Sequence, residues 1–232
     1  MLNILKNYPN GINELKLKTL LEARKNLKKP DSFKSLFPPI EIGSITLVDQ
    51  VVILSLLQIF NPKKIIEIGT YLGYTTALLA MNTKEAEIYT IDLPKQKNSE
   101  KYEFSLDKIL TTDSDNDKYL INNQNTHGEI YLSNLSKSEI SRIHLIKRDS
   151  KELNFYEFFK SSDLIFIDGG HDYETIEKDT INSRSILKKG VIIWHDFNSS
   201  IHSDVTLYLK KQKNHKIFHI TGSLCAFEII GF

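Results

Sequence analysis

The run Ile65-Ile66-Glu67-Ile68-Gly69-Thr70-Tyr71-Leu72-Gly73-Tyr74-Thr75-Thr76 sets the fold class of the whole chain. A short β-branched segment meets a glycine, and a helix-forming segment begins almost at once. This is a strand, a tight turn and a helix: Gly69 lets the chain turn sharply, and Gly73 lets the helix start approach a ligand closely. The spacing is G-x-x-x-G, whereas a dinucleotide pyrophosphate is normally seated on G-x-G-x-x-G. Glu67, two residues before the first glycine, disfavours a pyrophosphate and suits a ligand with cationic and hydroxyl groups.

Further runs of the same kind follow downstream. Lys64–Ile68, Glu87–Ile91, Ile143–Lys147, Leu164–Ile167 and Val191–Trp194 are short, β-branched-rich and nearly continuously apolar, as parallel strands buried on both faces are. Thr75–Met81, Glu152–Lys160 and Tyr173–Leu187 read as the helices between them, and the alternation predicts a doubly wound sheet. A helix over Asp204–Lys211 precedes Lys216–Ile220 and Leu224–Ile230, separated by only Thr221-Gly222-Ser223, which predicts a closing antiparallel hairpin.

Upstream, Ile12–Lys28 reads as an amphipathic helix, and a second helix starts after Ser44 or Thr46 with Val48, Val51, Val52, Leu56 and Ile59 on its buried face. That helix is expected to cover the sheet, the alternative being a homodimer interface. Residues 1–45 are thus expected to be a helical extension and 46–232 the main domain, with a long insertion at about 94–141. The insertion is polar and far longer than an ordinary connection, and reads as a lid or partner-binding insertion, the alternative being a passive surface loop. Within it Asp113-Ser-Asp115-Asn-Asp117 imitates a calcium loop, but Lys118 stands where the turn glycine belongs and Gln124 where the bidentate glutamate belongs, so calcium is rejected.

The chemistry-bearing residues fall at the ends of the predicted strands. Asp92 follows the second strand, where a carboxylate accepts hydrogen bonds from two ribose hydroxyls. Asp149 and Ser150 follow the third, where either also serves as a helix N-cap. Asp168-Gly-Gly-His171 follows the fourth and His195-Asp196 the fifth. Open α/β sheets bind ligands at this carboxyl edge.

Taken in order, these motifs over roughly Thr46–Phe232 resemble the class I S-adenosylmethionine-dependent methyltransferases, in particular a bacterial methyltransferase-domain family related to catechol-type and macrolide-sugar O-methyltransferases. The resemblance implies a Rossmann-like, mostly parallel seven-stranded sheet with a C-terminal antiparallel hairpin and extra N-terminal helices. It implies S-adenosyl-L-methionine as cofactor, held by Glu67, Gly69, Thr70, Tyr71, Gly73, Asp92, Asp149, Ser150 and Asp168, with the adenine beside Asp149 and Ser150. Asp168 also belongs to the catalytic set, and His171 stands where the general base is expected. Catechol-type enzymes hold magnesium on an aspartate matching Asp168 and on an Asp-Asn pair; here the pair is Asp196-Phe197, so a cation site would draw on Asp168, Asp196 and His195, with the nearby Asn198 as the alternative to the histidine. A histidine there points toward manganese, zinc or no metal.

Composition bounds the partners. Thirty Lys and Arg against 29 Asp and Glu leave a net charge of +1, which gives no case for nucleic acid. The most apolar run, Val51–Phe60, is too short to span a bilayer, and no secretory signal is visible, so a cytoplasmic location and no membrane partner are expected. Cys225, the single cysteine, reads as a small buried hydrophobe. The expected activity is methylation of a hydroxyl on a small, sugar- or phenol-like acceptor. The competing readings are a nicotinamide-dependent oxidoreductase, a hydrolase built on His171-Asp172 and His195-Asp196, and a non-catalytic module that kept the pocket.

Overall fold

A computed structural model of the chain describes residues 5–25, 32–37, 42–94 and 105–231. The sheet has eight strands: β1 Gly11–Leu15, β2 Lys64–Ile68, β3 Glu87–Asp92, β4 Ile143–Lys147, β5 Leu164–Ile167, β6 Gly190–Trp194, β7 Lys216–Ile220 and β8 Ala226–Ile230. Their order is β1-β7-β8-β6-β5-β2-β3-β4, and only β8 runs antiparallel to its neighbours. From β2 the chain moves outward through β3 to β4, then returns to lay β5 on the other side of β2. The ends of β2, β3 and β5 therefore open onto a common crevice.

The strand residues alternate between two cores, as a two-residue period demands. Ile65, Phe166 and Ile193 point to one face, where helices α1 Leu17–Lys25, α2 Leu47–Phe60 and α3 Tyr74–Met81 pack. Ile66, Ile165 and Trp194 point to the other. That face meets three later helices. The insertion and the segments after it supply α4 Leu106–Ile109, α5 Asp113–His127, α6 Lys137–Ile140, α7 Phe155–Phe159, α8 Tyr173–Ile186 and α9 Ser203–Lys211. Both faces are covered, which is why β2, β5 and β6 carry almost no polar residue. Helix α2 covers the sheet as expected; Thr46 caps it, accepting from Asp49 N at 3.2 Å while Asp49 Oδ2 accepts from Thr46 N at 3.0 Å.

Four expectations need correction. The sheet has eight strands, not seven, because Gly11–Leu15 is a strand paired in parallel with β7 and not the start of a helix. The N-terminal part is therefore not purely helical. Asn13 hid the strand: this inward-facing position is polar, its Nδ2 donating to the Pro9 and Gly11 carbonyls at 3.0 Å each, so no apolar alternation shows. β4 is not buried on both faces; it is one edge of the sheet, with His144 and Leu145 exposed. The stretch Glu152–Lys160 is a 3₁₀ turn over Ser150–Glu152 followed by the short α7, restarted by Asn154 as its cap. The fourth correction is that the insertion is not a loop: from Leu106 onward it is largely helical, and Asp113-Ser-Asp115-Asn-Asp117 forms the first turns of α5.

Candidate active site

A cavity of about 650 Å³ opens at the carboxyl edge of β2–β6. Gly69, Thr70, Tyr71, Asp92, Asp149, Ser150, Asp168, His171, His195 and Asp196 all line it. Glu67 and Gly73 are not among the residues that line it.

The turn after β2 explains both exceptions. Gly69 has φ +104°, and a Cβ there would lie 1.9 Å from the Asp168 carbonyl oxygen, so the glycine is demanded by the turn and by the β5 loop crossing it. Gly73 has φ +78° and caps α3; a Cβ there would meet Leu132 of the insertion at 3.1 Å. Its close neighbour is the protein itself. Glu67 is wholly buried beneath the turn, taking a short hydrogen bond from Thr76 Oγ1 on Oε2 and leaving Oε1 without a partner. Burial, only partly offset by the threonine hydroxyls, pushes its pKa up to about 8.

Asp92 ends β3 with its carboxylate turned back on the glycine loop. Oδ2 accepts from Tyr71 N at 3.1 Å and Oδ1 from Leu93 N at 3.0 Å, while Lys147 Nζ lies 3.5 Å away. Asp149 caps the turn after β4 through Lys151 N at 2.9 Å, and Ser150 beside it is buried. The capping and pocket-lining roles coexist there.

The far end of the cavity holds interlocked histidines and aspartates. Asp196 Oδ2 sits between two rings, 3.3 Å from His171 Nε2 and 3.1 Å from His195 Nδ1. His195 Nδ1 also lies 3.1 Å from Asp168 Oδ1, and its Nε2 lies 3.4 Å from Asp49 Oδ2. His171 Nδ1 is 2.7 Å from Asp117 Oδ1, and the His171 ring stacks on His202 with centroids 3.6 Å apart. His202 Nδ1 in turn lies 2.5 Å from Asp113 Oδ1. Burial would lower the pKa of His171, but hydrogen bonds to Asp117 and Asp196 and their charges override it and raise it to about 10. Burial also opposes charge on His195, yet the charges of Asp168 and Asp196 hold its pKa well above the usual histidine range. Asp196 would be raised by burial, but the His195 charge and the bond from His171 depress it well below the carboxylate range.

Four of these participants lie outside the expected site residues. Asp49 was hidden as an internal residue of α2, although an aspartate three positions after Thr46 is a capping signal. Asp113 and Asp117 are spaced to share a helix face, which the resemblance to a calcium loop obscured. His202, in the loop before α9, carried no local signal.

Residues 66–197, more than half of the chain, match the family described as Methyltransferase domain. The chain belongs to that family. The matched residues span the methyltransferase's glycine turn, Asp92, Asp168, His171 and the His195-Asp196 pair. Among solved structures, this methyltransferase is similar to cofactor-bound Rv0187 from MTB, at 15% identity and TM-score 0.56, with 93% of this chain and 89% of that one covered. It is also similar to the O-methyltransferase TomG from Streptomyces achromogenes in complex with SAM, at 12% identity and TM-score 0.54, with 93% and 89% covered. At these identities the likeness is one of fold. No helix among the described residues is long and apolar enough to cross a membrane.

Proposed function

We propose that the cavity binds S-adenosylmethionine and that the protein transfers its methyl group to a hydroxyl of a small, sugar- or phenol-like acceptor. One observation carries this reading: residues from the ends of five successive parallel strands, which the family match spans, line a single cavity of about 650 Å³. The volume suits a nucleoside cofactor with room beside it. When bound, the cofactor supplies an electrophilic methyl carbon on a sulfonium. Asp92 offers carboxylate oxygens for the ribose hydroxyls, and Asp149 and Ser150 stand at the adenine end. Gly69, Thr70 and Tyr71 would hold the remainder of the cofactor with backbone, and Asp168 would stand toward the acceptor.

His171 takes the acceptor proton in this reading. The carboxylates of Asp117 and Asp196 stabilise the imidazolium that forms, and they also make the neutral ring scarce at pH 7. Turnover is therefore expected to rise as the pH is raised from 7 toward 10. Asp168, His195 and Asp196 bring two carboxylates and one imidazole within 4.8 Å of one another. The set does not fit magnesium, which prefers oxygen, because His195 stands between the two carboxylates and binds both. One nitrogen and two oxygens suit manganese better.

Calorimetric titration with S-adenosylhomocysteine tests the reading. Micromolar binding that Asp92→Ala weakens at least tenfold, in a protein that stays folded, is the expected result. Absence of binding by the folded wild-type chain would overturn it.

A further inference from the structure

We propose that Asp113, Asp117, His171 and His202 form a second, separate cation site, for a divalent transition metal of the zinc type, which fastens the insertion helix α5 to the loops after β5 and β6. One ligand atom from each residue lies within 4.8 Å of all the others. The set shares no residue with Asp168, His195 and Asp196.

Three features of the site go beyond a cluster of charges. First, both histidines are more than nine-tenths buried, at 7% and 6% exposure, so two imidazole nitrogens are held away from water against two carboxylates. Second, the donors are arranged before any metal enters. Asp113 and Asp117 are one turn apart on α5, each facing a different ring, and the two rings are stacked with only 20° between their planes. Third, Asn116, on the same face of α5 and 2% exposed, lines the cavity with its Oδ1 buried and without a hydrogen-bond partner. That oxygen is unused by the fold and stands one residue from Asp117.

The chemistry selects the ion. Two nitrogens and two oxygens make a four-coordinate set of the kind zinc accepts, whereas calcium and magnesium take oxygen alone. Ligands about 2.0–2.2 Å from zinc stand roughly 3.3 Å apart, so the set closes from its present spacing once one of the two stacked rings turns to aim its nitrogen lone pair at the ion. Each His–Asp hydrogen bond opens as the metal takes its place, and the N–H protons leave to solvent. With Nδ1 of His171 on the metal, its Nε2–H remains to donate to Asp196, which would orient the ring. A ring so occupied cannot accept a proton. In so far as His171 is the base, a consequence that rests on the proposed methyl transfer, zinc would suppress turnover.

Calorimetry of chelator-treated full-length protein with zinc chloride tests the site directly. The expected result is one zinc, at micromolar affinity or better, that His195→Ala retains, with proton release seen as a dependence of the heat on buffer; a further equivalent lost in that variant belongs to Asp168, His195 and Asp196. Cobalt should give the intense visible bands of a four-coordinate site. His202→Ala and Asp113→Ala should each weaken zinc binding at least tenfold while His195→Ala leaves it unchanged; circular dichroism reports that each variant is folded. No zinc binding by the wild type, or binding lost in His195→Ala but kept in His202→Ala, would overturn the proposal. Titration with S-adenosylhomocysteine separates the two readings. Protein that binds zinc but not that compound upholds the metal site and sinks the methyltransferase reading, and the reverse result does the opposite.

Discussion

His171 Nδ1 lies 2.7 Å from Asp117 Oδ1, joining the loop after β5 to a helix that begins more than fifty residues earlier in the chain. Two further side-chain bonds hold α5 to the cavity wall: Asp113 to His202 at 2.5 Å, and Asn123 Nδ2 to the Tyr71 hydroxyl at 2.8 Å. The helix is mostly polar, so these contacts contribute to how firmly it stays. Asp117→Ala is expected to speed amide exchange across residues 113–123 by about tenfold, since a hydrogen bond to a charged group contributes about 1.5–3 kcal/mol and Asp117 is partly exposed. Exchange in β2 and β5 should not change. Mass spectrometry of exchanged peptides would show it, and equal rates in both proteins would mean that α5 is held by other contacts.

The two glycines of the turn after β2 should respond differently to the same change. Gly69→Ala places a methyl 1.9 Å from a backbone oxygen at φ +104°, and neither the turn nor the β5 loop can yield without moving Asp168. Gly73→Ala meets the Leu132 side chain at 3.1 Å, a contact that can give, and adds left-handed strain of about 1–2 kcal/mol. The expected outcome is soluble, measurably destabilised Gly73→Ala and failure of Gly69→Ala to give folded protein. Urea denaturation of whichever variants are recovered checks the order.

Arg142 fixes the junction of α3, β3 and the insertion. Its guanidinium donates to the carbonyls of Ala80 at 2.9 Å, Thr83 at 3.0 Å and Ala86 at 2.8 Å, and to Thr83 Oγ1 at 3.1 Å. A lysine ammonium cannot span these fixed acceptors. Arg142→Lys should lower the thermal midpoint by several degrees, corresponding to roughly 1–3 kcal/mol, with Arg142→Ala lower still. Calorimetric melting curves that coincide with wild type would show that the fork is not stabilising.

The strands that build the site were legible because each is a short apolar run stopped by a polar or glycine residue, and the loop residues that follow are neighbours in sequence. Gly69, Asp92, Asp149, Asp168 and Asp196 could be found that way. Their depth could not. Glu67 looked like a ligand contact because its chemistry and spacing were right, whereas the side chain faces the core and Thr76. The partners contributed by α2, α5 and the loop before α9 were hidden for another reason. Asp49 meets His195, and Asp113 meets His202, across sequence separations of 146 and 89 residues, which no local pattern encodes. β1 was lost to one inward polar residue, Asn13.

Glu67 supplies the pH-dependent prediction. Its pKa rises from an ordinary 4.5 to about 8 in the fold, chiefly through burial, with the charges of Asp168 and Asp92 acting in the same direction. Below pH 4.5 the carboxyl is neutral in both folded and unfolded chains, and its contribution to stability is fully present. As the pH rises the unfolded chain loses its proton first, so stability falls through the window from 4.5 to about 8. The loss is on the order of 3–5 kcal/mol for a shift of this size. Asp179, raised by burial to about 7, falls in the same direction, so only a comparison between variants isolates Glu67. Glutamine matches the neutral carboxyl in shape and can still accept from Thr76, but cannot ionise. Glu67→Gln should therefore match wild type near pH 4.5 and exceed it by a few kcal/mol at pH 8.5, measured by urea denaturation at both values. Parallel curves would show that Glu67 titrates in the folded protein as it does in the unfolded chain.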